Sequence, residues 1–358
     1  MIIIYRSITA AVLLGIASIS PLSGDNASIP TKSGTLIYHS YSSYTAMDSS
    51  ILLFDLASGS SYALPEGDYI HAMNADFGSH PYDVTFMAID PVHDEWDIYR
   101  CNILTNELVN LTSASGFRNE DPKFSPDGLK IVFKRGHWDS GLDNFVYDLA
   151  EIDLRTNTIT MLTDDTYEES MPYYSADGSK IFYARSSGEG SDIYMLDRNK
   201  LESYPVYSEE GVYSYYPVTS GDELYFVKWH SSDNKNDCIV HFNDDNAQIL
   251  PFCDASYNCS DPFVSGDDIF FSSTSGGSYD LYFSSGTDIF GLDMLNTELN
   301  ELGAAFFSFD EALLAANAAS DQILGISEAD INTDADGSGN VSCMDLIALR
   351  RKLLTSDN

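Results

Sequence analysis

Short apolar segments separated by polar turns recur along this chain at steps of 45 to 50 residues. Five of the six copies have a Pro-x-x-Ser turn followed by a run of apolar residues, as in residues 122–125 before residues 131–133. The copies begin at residues 30, 75, 122, 172, 217 and 262, and in the copy at residue 75 Ala75 and Gly78 replace the Pro and the Ser. A repeat of this length indicates a repeat architecture.

Each copy also contains later β-branched and aromatic segments, such as residues 192–195 and 280–283. Segments of this kind, bounded by Gly, Asp, Asn and Ser, are typical of all-β proteins. Four strands in each of six copies predict an all-β fold, a six-bladed β-propeller over about residues 26–292, and leave open how the ring closes. The turns are expected to be equivalent at Ser33, Gly78, Ser125, Ser175, Ser220 and Ser265.

The best-formed copies are residues 122–128, Pro-Lys-Phe-Ser-Pro-Asp-Gly, and residues 172–178, which is followed by Asp-Ile-Tyr-Met-Leu-Asp at 192–197. These motifs resemble TolB-like propellers, including those that precede the catalytic domains of prolyl oligopeptidases. The resemblance implies a fold more than a function, because propellers bind many unrelated ligands. The chain lacks a Gly-x-Ser-x-Gly motif and has too few residues after the propeller for a hydrolase domain, so peptidase activity is not expected.

The composition changes after residue 292. Residues 295–324 are rich in Ala, Leu and Glu and include the apolar-periodic run 309–319. This pattern predicts a helical linker over residues 293–326.

Residues 334–345 have the spacing of a twelve-residue calcium loop, with Gly339 at the sharp turn. Calcium prefers six to eight oxygen ligands, and this spacing places carboxylate, hydroxyl and carbonyl oxygens around one ion. The predicted ligands are Asp334, Asp336, Ser338, the carbonyl of Asn340, Ser342 through a water, and Asp345. A register starting at Asp330 fails, because it puts Val341 at the closing position; the alternative is a polar turn that binds nothing.

Asp345 at the closing position and the apolar helix at residues 346–354 resemble a dockerin repeat, over residues 327–356. The resemblance implies Ca²⁺ as the cofactor, a cohesin-like or other protein partner bound through Leu349, Arg350 and Arg351, and a polysaccharide-degradation context. A dockerin has two such repeats and this chain has one, which weakens the expectation of tight cohesin binding. The basic residues also suit a helix C-terminus, which favours positive charge.

The chain has 358 residues, with 55 Asp and Glu against 18 Lys and Arg, and a formal net charge of -37. This charge argues against nucleic acid and anionic membrane as partners, because both require basic surfaces. Residues 1–24 have one positive residue, Arg6, before an apolar run at residues 8–19, which indicates a signal peptide. No other segment is apolar enough to cross a bilayer, so a secreted protein, extracellular or periplasmic, is expected.

An exported protein can form disulfides, and this chain has five cysteines. Cys253 and Cys259 are close in sequence and are the first choice for a pair. Cys238 with Cys253 is the second choice, and Cys343 is expected to be free. The cysteines have no spacing typical of a zinc site.

Two functions of different class fit these observations. The first is a non-catalytic exported propeller that binds a ligand or partner on one face and docks through its calcium-binding tail. The second is a polysaccharide lyase or glycoside hydrolase with its site in the central depression. No catalytic residue can be named. A catalytic pair of carboxylates cannot be picked out among 55 Asp and Glu residues, and the seven histidines do not have the spacing of metal ligands. Clusters of tyrosine, such as residues 204–207 and 213–216, suit either sugar stacking or blade packing.

Overall fold

The computed structural model describes residues 34–308, apart from residues 57–58, 66, 104, 142, 187, 189, 231–235 and 287. The predicted signal peptide, the dockerin-like repeat and residues 309–326 of the predicted linker lie outside the described residues. Within the described part the chain forms 24 strands and one 3-10 helix, η1 (Tyr44–Ala46), which confirms the all-β prediction. In the same part of the chain, no helix has the length and apolar character that crossing a membrane requires.

The strands form five sheets. The first contains, in spatial order, β24 (Asn300–Ser308), β1 (Gly34–Tyr41), β2 (Ser50–Asp55) and β3 (Ser60–Ala63). The second contains β4 (Ile70–Phe77), β5 (Asp83–Asp90), β6 (Glu95–Asn102) and β7 (Glu107–Asn110). The third contains β8 (Arg118–Phe124), β9 (Lys130–Asp139), β10 (Asn144–Asp153) and β11 (Thr158–Met161). The fourth, with eight strands, contains β12 (Glu168–Tyr174), β13 (Lys180–Ser186), β14 (Ser191–Asp197), β15 (Glu202–Tyr207), β16 (Val212–Ser220), β17 (Glu223–His230), β18 (Cys238–Asn243) and β19 (Asn246–Ile249). The fifth contains β20 (Cys259–Ser265), β21 (Asp268–Ser273), β22 (Asp280–Ser285) and β23 (Asp288–Gly291).

The repeated turn joins the first strand of a four-strand unit to its second. The Ser125 amide donates to the carbonyl of Lys130 at 2.9 Å, and the Lys130 amide donates back to Ser125 Oγ at 3.0 Å. Ser175 and Lys180 repeat both contacts, each at 3.0 Å. The small polar residue therefore closes the hairpin with its backbone and its hydroxyl. The predicted equivalence of the turns is confirmed for Gly78, Ser125 and Ser175, whose amides all donate to the carbonyl five residues later. Ser220 and Ser265 also end the first strand of their units, but in shorter hairpins where they pair with Glu223 and Asp268. Ser33 lies outside the described residues.

The ring closes by pairing the last described strand with the first. β24 runs antiparallel to β1, with Gly34 opposite Ser308 and Tyr41 opposite Asn300. The helical interpretation is therefore wrong for residues 300–308, and the propeller extends beyond residue 292 to Ser308. The Ala- and Leu-rich composition favours a helix locally, but pairing with β1 and burial of Phe306 against Phe270 determine the structure.

The prediction of six separate blades is not met. Four sheets are separate four-stranded blades, whereas β12–β19 form one continuous sheet. One parallel pair, Ser191 with Tyr213, joins β14 to β16, and Ser191 Oγ donates to the carbonyl of Ser214 at 2.8 Å. Gly190 permits this approach, because a Cβ there would lie 2.7 Å from the carbonyl oxygen of Val212.

The core is divided among apolar clusters that lie between neighbouring sheets. Leu36, Phe283 and Phe306 pack together where the fifth sheet meets the first. Val132 and Tyr183 pack together where the third sheet meets β12–β14. Each sheet thus buries residues from both of its faces, which explains why the strands contain more apolar residues than a one-sided sheet would.

Candidate axial binding site

Each innermost strand carries a residue in the left-handed region of backbone conformation at a comparable place, and β4 carries a second one, His71. Every one of these residues lies at a register shift between its strand and the next, which is the signature of a β-bulge. The residues at the comparable place, with φ between 50° and 63°, are Asn74, Asp121, Met171, Tyr216, Asp261 and Gly303. Bulges re-aim side chains, and here they turn one residue of each inner strand towards a common axis.

Gly303 shows why the bulge on the closing strand needs a glycine. Its φ is 63°, and a Cβ at this position would lie 2.7 Å from His39 Cε1. The other five bulge residues are not glycine, so each adopts a backbone conformation that costs free energy. Such strain persists where the surrounding fold imposes it, and it is common at binding sites.

Polar side chains beside the bulges are linked across neighbouring strands. Asn74 Nδ2 donates to Asp121 Oδ1 at 2.8 Å, joining β4 to β8. Asp76, two residues further along β4, accepts from the Phe124 amide at 2.8 Å and lies 3.7 Å from Lys123 Nζ. The Lys123 and Asp76 side chains are 14% and 12% exposed, so this ion pair is largely shielded from solvent.

Burial changes the ionisation of several axial groups. It raises the pKa of Asp261 to about 6, and the neighbouring carboxylates of Asp237 and Asp121 add to this while Lys123 opposes it. Burial also raises the pKa of Tyr216 well above its usual value, helped by Asp261. Burial lowers the pKa of His39 to about 3, so this imidazole is neutral at pH 7. The axis therefore combines carboxylates that are costly to ionise with neutral phenols and a neutral imidazole.

Replacing Asp261 by Asn is expected to raise stability at neutral pH. The folded-state pKa of about 6 exceeds the unfolded value, so the native state binds more protons between about pH 4 and 6 and loses stability as pH rises through this range. The gain for Asp261→Asn should be absent near pH 3.5 and reach on the order of 1–3 kcal/mol above pH 6.5. Urea unfolding of both proteins across this pH range measures it; a constant difference at every pH would contradict the assignment.

A cavity of about 240 Å³ opens where the inner strands end at the repeated turns. Seven of its sixteen lining residues are aromatic, and Asp76 and Lys123 supply charge. The residues that line it include Phe77, Tyr173, Phe263, Phe306 and Phe307. We call this cavity the axial mouth; the space between the bulges, lined by Asn74, Asp121, Met171 and Tyr216, is only about 10 Å³.

A second surface lies on the β9–β10 hairpin, which extends beyond the start of β8. Trp138 is 53% exposed and makes an edge contact with Phe145, with ring centroids 5.3 Å apart. Arg118, which pairs with Gly136 at the opposite end of β8 from the axial mouth, stacks on Phe145 at 5.4 Å. Because this hairpin is exposed and lies away from the axial mouth, a substitution at Trp138 serves as a control for substitutions in the mouth.

The predicted site residues and the observed cluster do not overlap. The calcium ligands and Leu349, Arg350 and Arg351 lie outside the described residues. Among the residues that the structure describes, no group of three His, Cys, Asp or Glu could hold a metal. Tyr213 stacks on Trp229 with ring centroids 4.6 Å apart, which favours the packing interpretation of residues 213–216, whereas Tyr204 is exposed. The residues with left-handed backbone at the axis were not predicted from the sequence. One sequence signal for them exists, because four of them directly precede the Pro of the repeated turn.

The predicted disulfide between Cys253 and Cys259 is not present in this structure. Cys101, Cys238, Cys253 and Cys259 are all free thiols, and Cys343 lies outside the described residues. Cys253 and Cys259 nevertheless lie in direct hydrogen-bonding contact, as their closeness in sequence suggested.

Comparison with known proteins shows the fold and no single family. No family model matches the chain. The chain is 28% identical over 125 residues to the uncharacterized peptidase YuxL of Bacillus subtilis strain 168, a match that spans 34% of this chain and only 18% of that protein. TolB from Acinetobacter baumannii superposes with a TM-score of 0.61 at 16% identity, over 77% of this chain and 67% of TolB. An oligogalacturonate lyase from Vibrio parahaemolyticus superposes with a TM-score of 0.50 at 13% identity, over 74% of this chain and 80% of the lyase. The chain is thus a β-propeller with TolB, lyase and peptidase neighbours.

Proposed function

We propose that this protein is an exported, calcium-binding propeller that binds a partner segment at the axial mouth and docks through its dockerin-like tail. The observation that carries the proposal is the aromatic cavity of about 240 Å³, placed on the axis beside Asp76, Lys123 and the bulged residues. Concave, largely apolar sites with a few convergent polar groups are typical of ligand binding.

The charges at the axis define what the partner should present. Three carboxylates, Asp76, Asp121 and Asp261, lie near one another, and Lys123 offsets only part of their charge. The aromatic walls accommodate an apolar or aromatic side chain. We therefore expect a segment in which such a side chain enters the mouth and a positively charged group faces the acidic axis.

The resemblance to TolB-like propellers supports the same proposal, with the eight-stranded sheet counted as two blades joined by one residue pair. Six bulges on six inner strands favour six repeated units. The spacing of residues 334–345 and the apolar run at residues 8–19 support calcium binding and export, and the dockerin-like helix supports docking in a polysaccharide-degradation context.

Filling the axial mouth should abolish partner binding. Ala176 lines the mouth and is exposed, so Ala176→Trp blocks the cavity without removing a core contact. Peptides selected from a displayed library, and glycans selected on an array, are titrated by fluorescence anisotropy against wild type, Ala176→Trp and Trp138→Ala. We expect at least tenfold weaker binding for Ala176→Trp and unchanged binding for Trp138→Ala. Equal affinity for wild type and Ala176→Trp would refute the site.

The second candidate is a polysaccharide lyase or glycoside hydrolase. The favouring observation is Asp261, whose pKa of about 6 suits proton transfer near neutral pH and which lies near Lys123 and Tyr216. The lyase neighbour supports the fold for such chemistry. Pectic and other polysaccharides are incubated with wild type and Asp261→Asn, and product is followed by chromatography. A decrease in turnover of about 100-fold in Asp261→Asn favours the enzyme hypothesis. An absence of turnover by wild type favours the binding-protein hypothesis.

A further inference from the structure

Three cysteines meet at the junction between the eight-stranded sheet and the fifth sheet. Cys238 begins β18, Cys253 lies in the turn after β19, and Cys259 begins β20. The Cys259 amide donates to the carbonyl of Asp237 at 2.8 Å, so β20 starts beside the start of β18. The fourth described cysteine, Cys101, is buried alone on β6 and has no thiol partner among the described residues.

Cys253 lies between the other two cysteines. Its Sγ accepts a hydrogen bond from the Ile239 amide at 3.3 Å, one peptide bond from Cys238. It also contacts the Cys259 thiol directly. Cys259 Sγ lies 3.9 Å from both the Phe252 carbonyl and Ser273 Oγ, and its residue is fully buried. Cys238 and Cys253 are only partly buried. An external oxidant can therefore reach Cys253 or Cys238 but not Cys259.

We propose that Cys238, Cys253 and Cys259 form a thiol–disulfide exchange site in which Cys253 is the sulfur shared by two alternative disulfides. The oxidant is a small disulfide such as oxidised glutathione. The Cys253 thiolate attacks one sulfur of that disulfide and releases one reduced thiol. The Cys259 thiolate then attacks Cys253 Sγ and releases the second. Two protons leave the protein and two electrons pass to the oxidant, so the step balances.

The third thiol relocates the bond. The Cys238 thiolate attacks Cys253 Sγ, the Cys253–Cys259 bond breaks, and Cys259 leaves as a thiolate, with no net change in oxidation state. The Cys253 and Cys259 sulfurs are already in contact before oxidation, so the Cys253–Cys259 bond is expected to be the main one and the Cys238–Cys253 bond the alternative.

The two disulfides tie different elements together. The Cys253–Cys259 bond attaches the turn to β20, two residues before Asp261, and so restrains one inner strand at the axis. The Cys238–Cys253 bond attaches the same turn to β18 and leaves the start of β20 held by hydrogen bonds alone. Exchange between them changes how firmly the fifth sheet is fixed to its neighbour.

The full-length protein and its variants are incubated with oxidised glutathione, alkylated at low pH and mapped by mass spectrometry. Proteolysis on the amino side of Asp254 separates Cys253 from Cys259. In wild type we expect Cys253 in every bridge, mainly with Cys259. Cys259→Ser should give the Cys238–Cys253 bridge, Cys238→Ser the Cys253–Cys259 bridge, and Cys253→Ser no bridge among the three. Cys101→Ser is the matched control and should reproduce the wild-type map.

Two results would overturn the proposal. One is a Cys238–Cys259 bridge in Cys253→Ser, which would show that Cys253 is not required. The other is a wild-type protein that keeps all three thiols reduced in excess oxidised glutathione. Circular dichroism verifies that each variant is folded, and if a serine variant fails to fold the wild-type map alone decides between the outcomes.

Discussion

A chain that ends at Leu299 is expected not to fold cooperatively, whereas a chain that ends at Ser308 should retain the propeller. The shorter chain lacks β24, which provides one of the four strands of the first sheet and pairs with β1 over nearly its full length. It also lacks Leu302 and Phe306, both buried in the core.

The size of the expected loss of stability follows from the burial of these side chains. Removing one large aromatic side chain from a core costs about 3–5 kcal/mol, and a whole domain is stable by only about 5–15 kcal/mol. Loss of the full strand should therefore exceed the available stability. Far-ultraviolet circular dichroism and urea unfolding measure the effect. A single cooperative transition with an unchanged midpoint in the chain ending at Leu299 would show that the ring does not depend on this closure.

Replacing Asp334 by Ala is expected to remove one calcium-binding equivalent from the full-length protein. Asp334 stands at the first position of the predicted loop, where its carboxylate binds the ion directly. The carboxylates of this loop repel one another without the ion, so binding and local folding should occur together. The propeller should be unaffected, since residues 34–308 close their ring without the loop.

The matched control is Asp330→Ala, which lies outside the twelve predicted loop residues. Both variants lose one negative charge from the same segment, so nonspecific attraction of calcium to this acidic chain changes equally. Isothermal titration calorimetry should show one bound calcium ion at this loop in wild type and in Asp330→Ala, and none at this loop in Asp334→Ala. Identical titrations for the two variants would mean that residues 334–345 are only a polar turn.

The repeated turn made most of the fold predictable. Ser125 and Ser175 occupy the same hydrogen-bonded position because a short polar residue at the end of an inner strand closes the hairpin. Local signals of this kind persist in sequence because they depend on adjacent residues. The closing strand was not predictable in the same way. Residues 300–308 form a strand because β1 offers a free edge, and that partner is remote in sequence.

The axial site was hidden for a similar reason. Asp76, Asp121 and Asp261 belong to three different sheets, and nothing in the sequence shows that these three, among 55 acids, lie together. Their proximity arises from the circular arrangement of the sheets. The bulges at Asp121 and Asp261 could have been inferred locally, because each residue precedes a Pro at the same place in the repeat.

The pairing of β24 with β1 also affects the order of events during synthesis. A chain that emerges with its amino terminus first exposes β1 long before β24 exists, and an unpaired strand edge invites association with other chains. Contacts between residues so distant in sequence form slowly. The first sheet is therefore the last to be completed, and the newly made protein spends its most aggregation-prone interval with this edge open. A chaperone that covers an exposed strand edge would act on β1 during that interval.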